Sequence, residues 1–300
     1  MTEDTLYSLA SVTKTFTSTM VLRLYEQGKL GLDDLIEPYV PPYMPSTNQV
    51  TIRNLLGMTS GYHDVEDDPL IIHWLNDPNH EWTRSQILTR VQAVTFTPGS
   101  EYQYSNTNYV ILGRIIESAS DQSVGSEFQS LIVQAVGLED QAFFERVPAA
   151  APHIAHGYNV EEGQLVDTFV GAEKLGVPTG IWGTVWTDGG IAATASGVAH
   201  FTEALFGGKI LEPATLATME QPGPDGSYGL GTYQLQFDGH SWQGNDGFYV
   251  GFSAVTMYDA TRQLTITVLT NYTDLLGRDA AYLIWYRMAA AFDHSTALTQ

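Results

Sequence analysis

Residues 11–32 read SVTKTFTSTMVLRLYEQGKLGL. Phe16, Met20 and Leu24 recur every four residues, with Val21 and Tyr25 beside them, so the spacing predicts a helix with one apolar face. Gly28 supplies a stop. Ser11 and Lys14 stand three residues apart at the start, on one side of the helix, where a hydroxyl and an amine can meet. A serine attacks only with a base or a stabilising charge at hand, and a lysine in a dry site can supply one or the other. Taken alone, Ser-x-x-Lys is also the pattern of a helix cap followed by a solvated lysine. The setting weighs against that reading. Lysine occurs only at positions 14, 29, 174 and 209, and Lys14 sits inside the apolar stretch LYSLASVTKTFTSTMVL.

The rest of the chain is built to match. Its 300 residues and 32.9 kDa are enough for one large domain or two ordinary ones, and 43% hydrophobic against 16% charged residues describes a globular protein. Asp+Glu 34 against Lys+Arg 13 gives a formal charge of −21, which argues against nucleic-acid binding and against anionic membranes. There is no Cys, so disulfides, thiolate zinc sites and thiol catalysis are excluded. No apolar run reaches membrane-span length. The opening Met-Thr-Glu-Asp-Thr has no signal-peptide character, which leaves the compartment open.

Beyond the first helix, Pro38, Pro41, Pro42 and Pro45 punctuate a loop, and Thr83 to Gln86 reads as a capping box. Helices are expected over residues 107–119, 124–136 and 196–206, and residues 147–190 read mostly as loop. The period then changes. Residues 228–237, 252–259 and 263–271 alternate like strands, the last two as an antiparallel hairpin turning near Asp259 to Arg262. A closing helix places Leu276, Ala280, Leu283, Ile284 and Met288 on one face. The expected class is α/β (α+β): an antiparallel sheet flanked by helices, from residues 1–12 and 190–300, beside a mostly helical subdomain, residues 13–189, with the site between them.

Two further stretches can carry chemistry. Tyr104-Ser105-Asn106 follows Pro98-Gly99 and precedes a helix, and a phenol near an ammonium loses its proton more readily. Gly244 to Phe252 (GNDGFYVGF) precedes the hairpin. Its glycines let a backbone approach a ligand, although Asn-Asp-Gly is equally a turn sequence. The run His63, Asp64, Glu66, Asp67, Asp68 reads as a solvated loop, and the eight histidines show no ligand spacing. Trp182, Trp186, Tyr62 and Tyr228 either line an apolar acyl pocket or pack in the core.

Ser11-x-x-Lys14, Tyr104-x-Asn106 and a Gly-rich strand segment, in that order, resemble the serine β-lactamase and penicillin-binding-protein superfamily. The nearer likeness is to its class C branch, with D-alanyl-D-alanine carboxypeptidases, D-aminopeptidases and carboxylesterases. LLGMTSGYHD (55–64), PGSEYQYSNTNYVILG (98–113), GGIAATASGVAHF (189–201) and YGLG (228–231) extend it over essentially the whole chain. The resemblance implies a cofactor-free acyl-enzyme mechanism. Ser11 would be the nucleophile, Lys14 would take its proton or tune the site, and Tyr104 would be the general acid/base. Asn106 would meet the acyl side of the substrate, and the backbone N–H groups of Ser11 and Phe248 would hold the oxyanion. The first choice of substrate is a small carboxylic ester, the runner-up a D-amino-acid peptide or amide or a β-lactam-like substrate, and the rival reading is a non-catalytic binding protein that kept the fold.

Two departures stand out. The family's third motif is Lys or His, any residue, Gly. With Gly247 aligned, Asn245 takes the place of the cation, and His240 falls five residues too early unless the segment bulges. Asn cannot pair with a substrate carboxylate, which favours esters over β-lactams and carboxyl-terminal peptides. Only ten residues precede Ser11, so two N-terminal strands of the family's sheet are expected to be missing. Residues 263–271 would then be an open edge, covered by a second copy of the chain or by another segment.

Overall fold

The Ser-x-x-Lys stretch opens on a 3-10 turn (Ala10–Val12) and runs on as α1 (Thr13–Glu26). The structure is a computed structural model that describes residues 1–69, 83–144, 154–161, 163–168, 186–249, 251–274 and 280–297. α1 is buried on all sides from Thr13 to Leu22, and Tyr25, expected on its apolar face, is exposed. The polar residues among them bond outward to neighbouring loops: Thr15 Oγ1 donates to the Gly231 carbonyl and Thr17 Oγ1 to that of Thr187. A helix with a threonine-rich second face can therefore be a central pillar, because each buried hydroxyl finds an acceptor. Gly28 closes it at φ +70, the left-handed conformation that suits glycine.

Among the described residues the strands in chain order are β1 (Tyr7–Ser8), β2 (Ala142–Phe144), β3 (Tyr158–Glu161), β4 (Gln164–Asp167), β5 (Ile191–Ala193), β6 (Tyr233–Phe237), β7 (His240–Tyr249), β8 (Phe252–Asp259), β9 (Leu264–Thr270) and β10 (Tyr272–Asp274). The main sheet is antiparallel in the order β6-β7-β8-β9. β1, β5 and β2 form a small second sheet, and β10 joins the β3–β4 hairpin. The β8–β9 turn lies where the sequence puts it, held by Asp259 Oδ1, which accepts from the N–H groups of Thr261 (2.8 Å) and Arg262 (3.2 Å). The β3–β4 hairpin falls inside the stretch read as loop. Its strands are short and β4 is largely exposed, so they lack an apolar alternation.

The main helices after α1 are α2 (Ile52–Leu56), α3 (Arg84–Leu88), α4 (Asn106–Ser120), α5 (Val124–Phe128), α6 (Gln134–Val136), α7 (Ala195–Phe206), α8 (Pro213–Glu220) and α9 (Ala280–Ala297). A π turn (Gln129–Val133) joins α5 to α6. Thr83 and Gln86 form the expected capping box on α3. α1 shares its core with α4 and α7, and Phe16 stacks on Phe201 with ring centroids 3.6 Å apart.

GNDGFYVGF takes the strand reading rather than the turn: residues 240–249 are one strand inside the sheet, and Gly251 beyond it has φ +82. One expectation is overturned. In α9 the face expected inside is the outer one. Leu283 is 56% exposed and Ile284 44%, whereas Ala281, Trp285 and Ala289 pack against Trp242, Val255, Met257, Ile266 and Val268 of the sheet. The periodicity fixed the helix but not which of two apolar faces met the sheet, and Trp285 buries the larger side chain. Leu276 and Trp182 lie outside the described residues.

Candidate active site

Ser11 sits on the 3-10 turn that leads into α1, just after Ala10, whose φ of +46 is unusual for a residue with a side chain. One helical turn on, the Lys14 side chain is 1% exposed. Its ammonium donates to Ser11 Oγ at 3.0 Å, Asn106 Oδ1 at 2.7 Å and the Asp188 carbonyl at 2.8 Å, which uses all three of its hydrogens. Ser11 Oγ lies 2.7 Å from Tyr104 Oη. Lys14 Nζ is also 5.1 Å from the centroid of the Tyr104 ring. Burial works to lower the Lys14 pKa, but the Tyr104 phenol, Asp188 and Glu66 outweigh it and hold it above the ordinary lysine value. These neighbours thus favour the ammonium form of Lys14. It can stabilise a negative oxygen on Ser11 or Tyr104, and the 2.7 Å contact gives the Ser11 proton a direct path to Tyr104.

Asn106 opens α4, and the helix's own cap residue, Ser105, makes no cap bond. Asp64 from a neighbouring loop takes that place: its Oδ2 accepts from Asn106 N at 2.9 Å and from Asn106 Nδ2 at 3.1 Å. A carboxylate at a helix N-terminus is electrostatically well placed. The same contact turns the Asn106 amide so that its oxygen, not its nitrogen, faces Lys14. The loop is pinned to α4 through Thr107, whose hydroxyl donates to the His63 carbonyl at 2.7 Å and accepts from Val65 N at 2.8 Å. Glu66 follows, lining the same cavity as Asp188. Burial and the nearby Asp188 and Asp64 carboxylates push the Glu66 pKa well above the usual range, and burial raises that of Asp64.

The other wall is β7. A Cβ on Gly247 would strike the Leu9 carbonyl oxygen and lie 2.8 Å from Ser11 N, so glycine is what lets the strand touch the start of α1. Phe248 follows, its side chain 44% exposed, so that the backbone N–H groups of Ser11 and Phe248 belong to two segments in contact. Asn245 is 5% exposed, and its Nδ2 donates to Thr15 Oγ1 at 3.2 Å and to the Gly231 carbonyl at 3.3 Å. It stands at the pocket wall as a neutral, internally bonded group. His240 is at the far end of β7, with Nδ1 3.0 Å from Asp259 Oδ2, and takes no part in the site.

Ser11, Tyr104, Asn106, Asn245, Gly247 and Phe248 line one cavity of about 400 Å³, together with Glu66, Asp188 and Tyr228. Tyr62 and Trp186 are core residues: Tyr62 Oη donates to the Pro45 carbonyl, and Trp186 packs against Gly113. Asp64, Glu66 and Asp188 were not singled out from the sequence as site residues. Asp64 and Glu66 lie in a carboxylate run of an acidic chain, and their signal was position, since Asp64 closes the LLGMTSGYHD stretch and Asp188 immediately precedes Gly189-Gly190. No His, Asp and Glu group among the described residues has the arrangement of a metal site.

A family model described as Beta-lactamase matches residues 1–289. Penicillin-binding protein 4* of Bacillus subtilis (strain 168) is 27% identical over 290 residues, which cover 89% of this chain and 61% of that protein. Esterase EstB of Burkholderia gladioli is 33% identical over 161 residues, 49% of this chain and 41% of the esterase. The chain thus spans about three fifths or less of these relatives. The D-amino acid amidase of Ochrobactrum anthropi SV3, in a structure complexed with L-phenylalanine, superposes with a TM-score of 0.82 over 99% of this chain and 87% of its own at 22% identity, a likeness of fold.

Proposed function

This chain belongs to the beta-lactamase family, and from that premise we propose that it is a serine hydrolase that cleaves small carboxylic esters through an acyl-enzyme on Ser11. The observation that carries the reading is the contact of Ser11 Oγ with Tyr104 Oη at 2.7 Å and with the buried Lys14 ammonium at 3.0 Å. In the proposed cycle Tyr104 acts as the phenolate beside the Lys14 ammonium, and Ser11 Oγ bonds to the ester carbonyl carbon as its proton passes to that phenolate oxygen. The backbone N–H groups of Ser11 and Phe248 take the oxyanion. The C–O bond to the alcohol breaks, and Tyr104 returns the proton to the leaving oxygen. Water then attacks the acyl-enzyme with Tyr104 as base, releasing the acid and restoring Ser11.

The preference for esters rests on Asn245. A buried, internally bonded amide offers no charge to the carboxylate that β-lactams and carboxyl-terminal peptides carry. The test is turnover of p-nitrophenyl acetate beside benzylpenicillin, with Ser11→Ala as control. Ester hydrolysis that exceeds penicillin hydrolysis and falls roughly 10⁴-fold or more in the variant is the expected result. Equal rates on both substrates would count against the ester preference. An unchanged Ser11→Ala rate would remove Ser11 as the nucleophile, and ester hydrolysis no faster than in buffer would leave a non-catalytic binding protein of the same fold as the reading.

A further inference from the structure

No Lys, Arg or His among the described residues lines the cavity that holds Ser11, whereas three carboxylates, Glu66, Asp188 and Asp246, do. Lys14 has given its three hydrogens to Ser11, Asn106 and Asp188, so an incoming anion finds no donor on it. The carboxylates fall in two places. Glu66 and Asp188 act on one another and on Lys14. Asp246 stands apart from them on β7, beside Gly247, the glycine that touches the start of α1.

Aromatic rings surround that second place. β6 begins at Tyr233, opposite Gly244, and β7 runs on past it through Asp246 to Tyr249. Burial first, and then Asp246, push the Tyr233 phenol above its ordinary pKa; burial, then Asp225, Tyr104 and Asp246, do the same to Tyr102. Both rings therefore stay neutral beside the carboxylate. The Tyr102 and Tyr228 centroids lie 5.5 Å apart, and Phe248, 44% exposed, closes the wall.

This wall belongs to the alcohol half of an ester. A peptide cut next to its carboxyl terminus releases the half that bears the carboxylate, and the family's third motif sets its cation against that group. Here the same stretch holds Asn245, neutral and bonded to Thr15 and Gly231, and then Asp246, so its charge is inverted. Resting on the reading of Ser11 as the nucleophile of an ester hydrolase, we propose that Asp246 and the rings around it bind a quaternary ammonium group on the alcohol half of the substrate, which makes the substrates esters of cationic amino alcohols.

A quaternary ammonium has no N–H to place. It needs a negative field and ring faces, and aromatic rings attract such a cation through their negative faces. A carboxylate with neighbours of its own still supplies the field. Ser11 keeps the acyl group as the C–O bond breaks, and the amino alcohol leaves with the proton that Tyr104 returns to its oxygen.

The experiment compares acetylcholine with 3,3-dimethylbutyl acetate, in which carbon replaces the charged nitrogen and the acyl group is unchanged. The wild type should favour the cationic ester by about tenfold or more in kcat/KM. Asp246→Asn should bring that ratio close to one while keeping turnover of the neutral ester. Glu203→Gln, which removes the same charge from the exposed side of α7, should leave the ratio as it is. Equal use of the two esters by the wild type, or a ratio undiminished in Asp246→Asn, overturns the inference and leaves the hydrolase reading standing. An Asp246→Asn loss that is the same on both esters also overturns it, because that is the effect of a carboxylate that only supports β7. Calorimetric titration of the wild type reads the subsite without chemistry: choline should bind more tightly than 3,3-dimethylbutan-1-ol, and binding no tighter overturns the inference. Ser11 left unacylated by p-nitrophenyl acetate overturns the hydrolase reading and the claim on esters with it, and the choline titration then decides the cation site alone.

Discussion

Lys14 enters the site with every hydrogen committed, and the one given to Asn106 depends on Asp64. The Asp64 carboxylate draws both the backbone and side-chain nitrogens of Asn106, which leaves Oδ1 of that amide for the Lys14 ammonium. Asp64→Asn removes the charge and lets the Asn106 amide turn its nitrogen toward Lys14, where two donors would face each other. The expected result is a fall in kcat on p-nitrophenyl acetate on the order of 10²-fold, as for a small misplacement of reacting groups, with KM nearly unchanged. Steady-state kinetics check this, and a rise in KM at constant kcat would contradict it. At this scale the sequence was legible where spacing carried the chemistry: Ser11 and Lys14 three apart, Tyr104 and Asn106 two apart. It was not legible where a carboxylate acts across the fold. Nothing in the local pattern separates Asp64, which caps α4, from Asp67, which faces solvent.

The elements repeat the lesson with glycine and with apolar faces. Asn-Asp-Gly inside GNDGFYVGF reads as a turn, yet Gly244 and Gly247 serve close approach: a Cβ on the first would strike the Thr256 carbonyl, and on the second that of Leu9. Both needs produce the same letter in a sequence, and only the partner strand tells them apart. Gly247→Ala should push β7 away from the turn that carries Ser11. Overpacking of this kind costs about 1–3 kcal/mol, and the loss of ester hydrolysis should be larger than the loss of stability explains. Thermal unfolding read beside kcat/KM tests this; an alanine variant of normal activity would show that β7 and Ser11 need no such contact. The helices over 106–120 and 195–206 and the β8–β9 hairpin were readable because apolar periodicity and turn chemistry agree there. In α9 two apolar faces compete, and the sheet chose Trp285.

At the scale of the molecule, the outward face of α9 carries exposed apolar side chains, and β9 is the last strand of the main sheet among the described residues. β9 pairs with β8 alone among the described residues, and Leu283, Ile284, Met288 and Phe292 are each at least 40% exposed. An unpaired strand edge and an apolar helix stripe together favour a second copy of the chain. The −21 charge opposes that contact. Association should therefore strengthen as salt screens the repulsion, and Met288→Glu should weaken it. Light scattering across an ionic-strength series reads both, and a monomer at every salt concentration would contradict the expectation.

The account turns on Ser11 becoming covalently acylated. Mass spectrometry of the intact protein, quenched within the first turnovers with p-nitrophenyl acetate, tests this most directly. One acetyl group on the peptide that contains Ser11, and none on Ser11→Ala, is the predicted result. Hydrolysis of the ester with no acetyl group at Ser11 would contradict it.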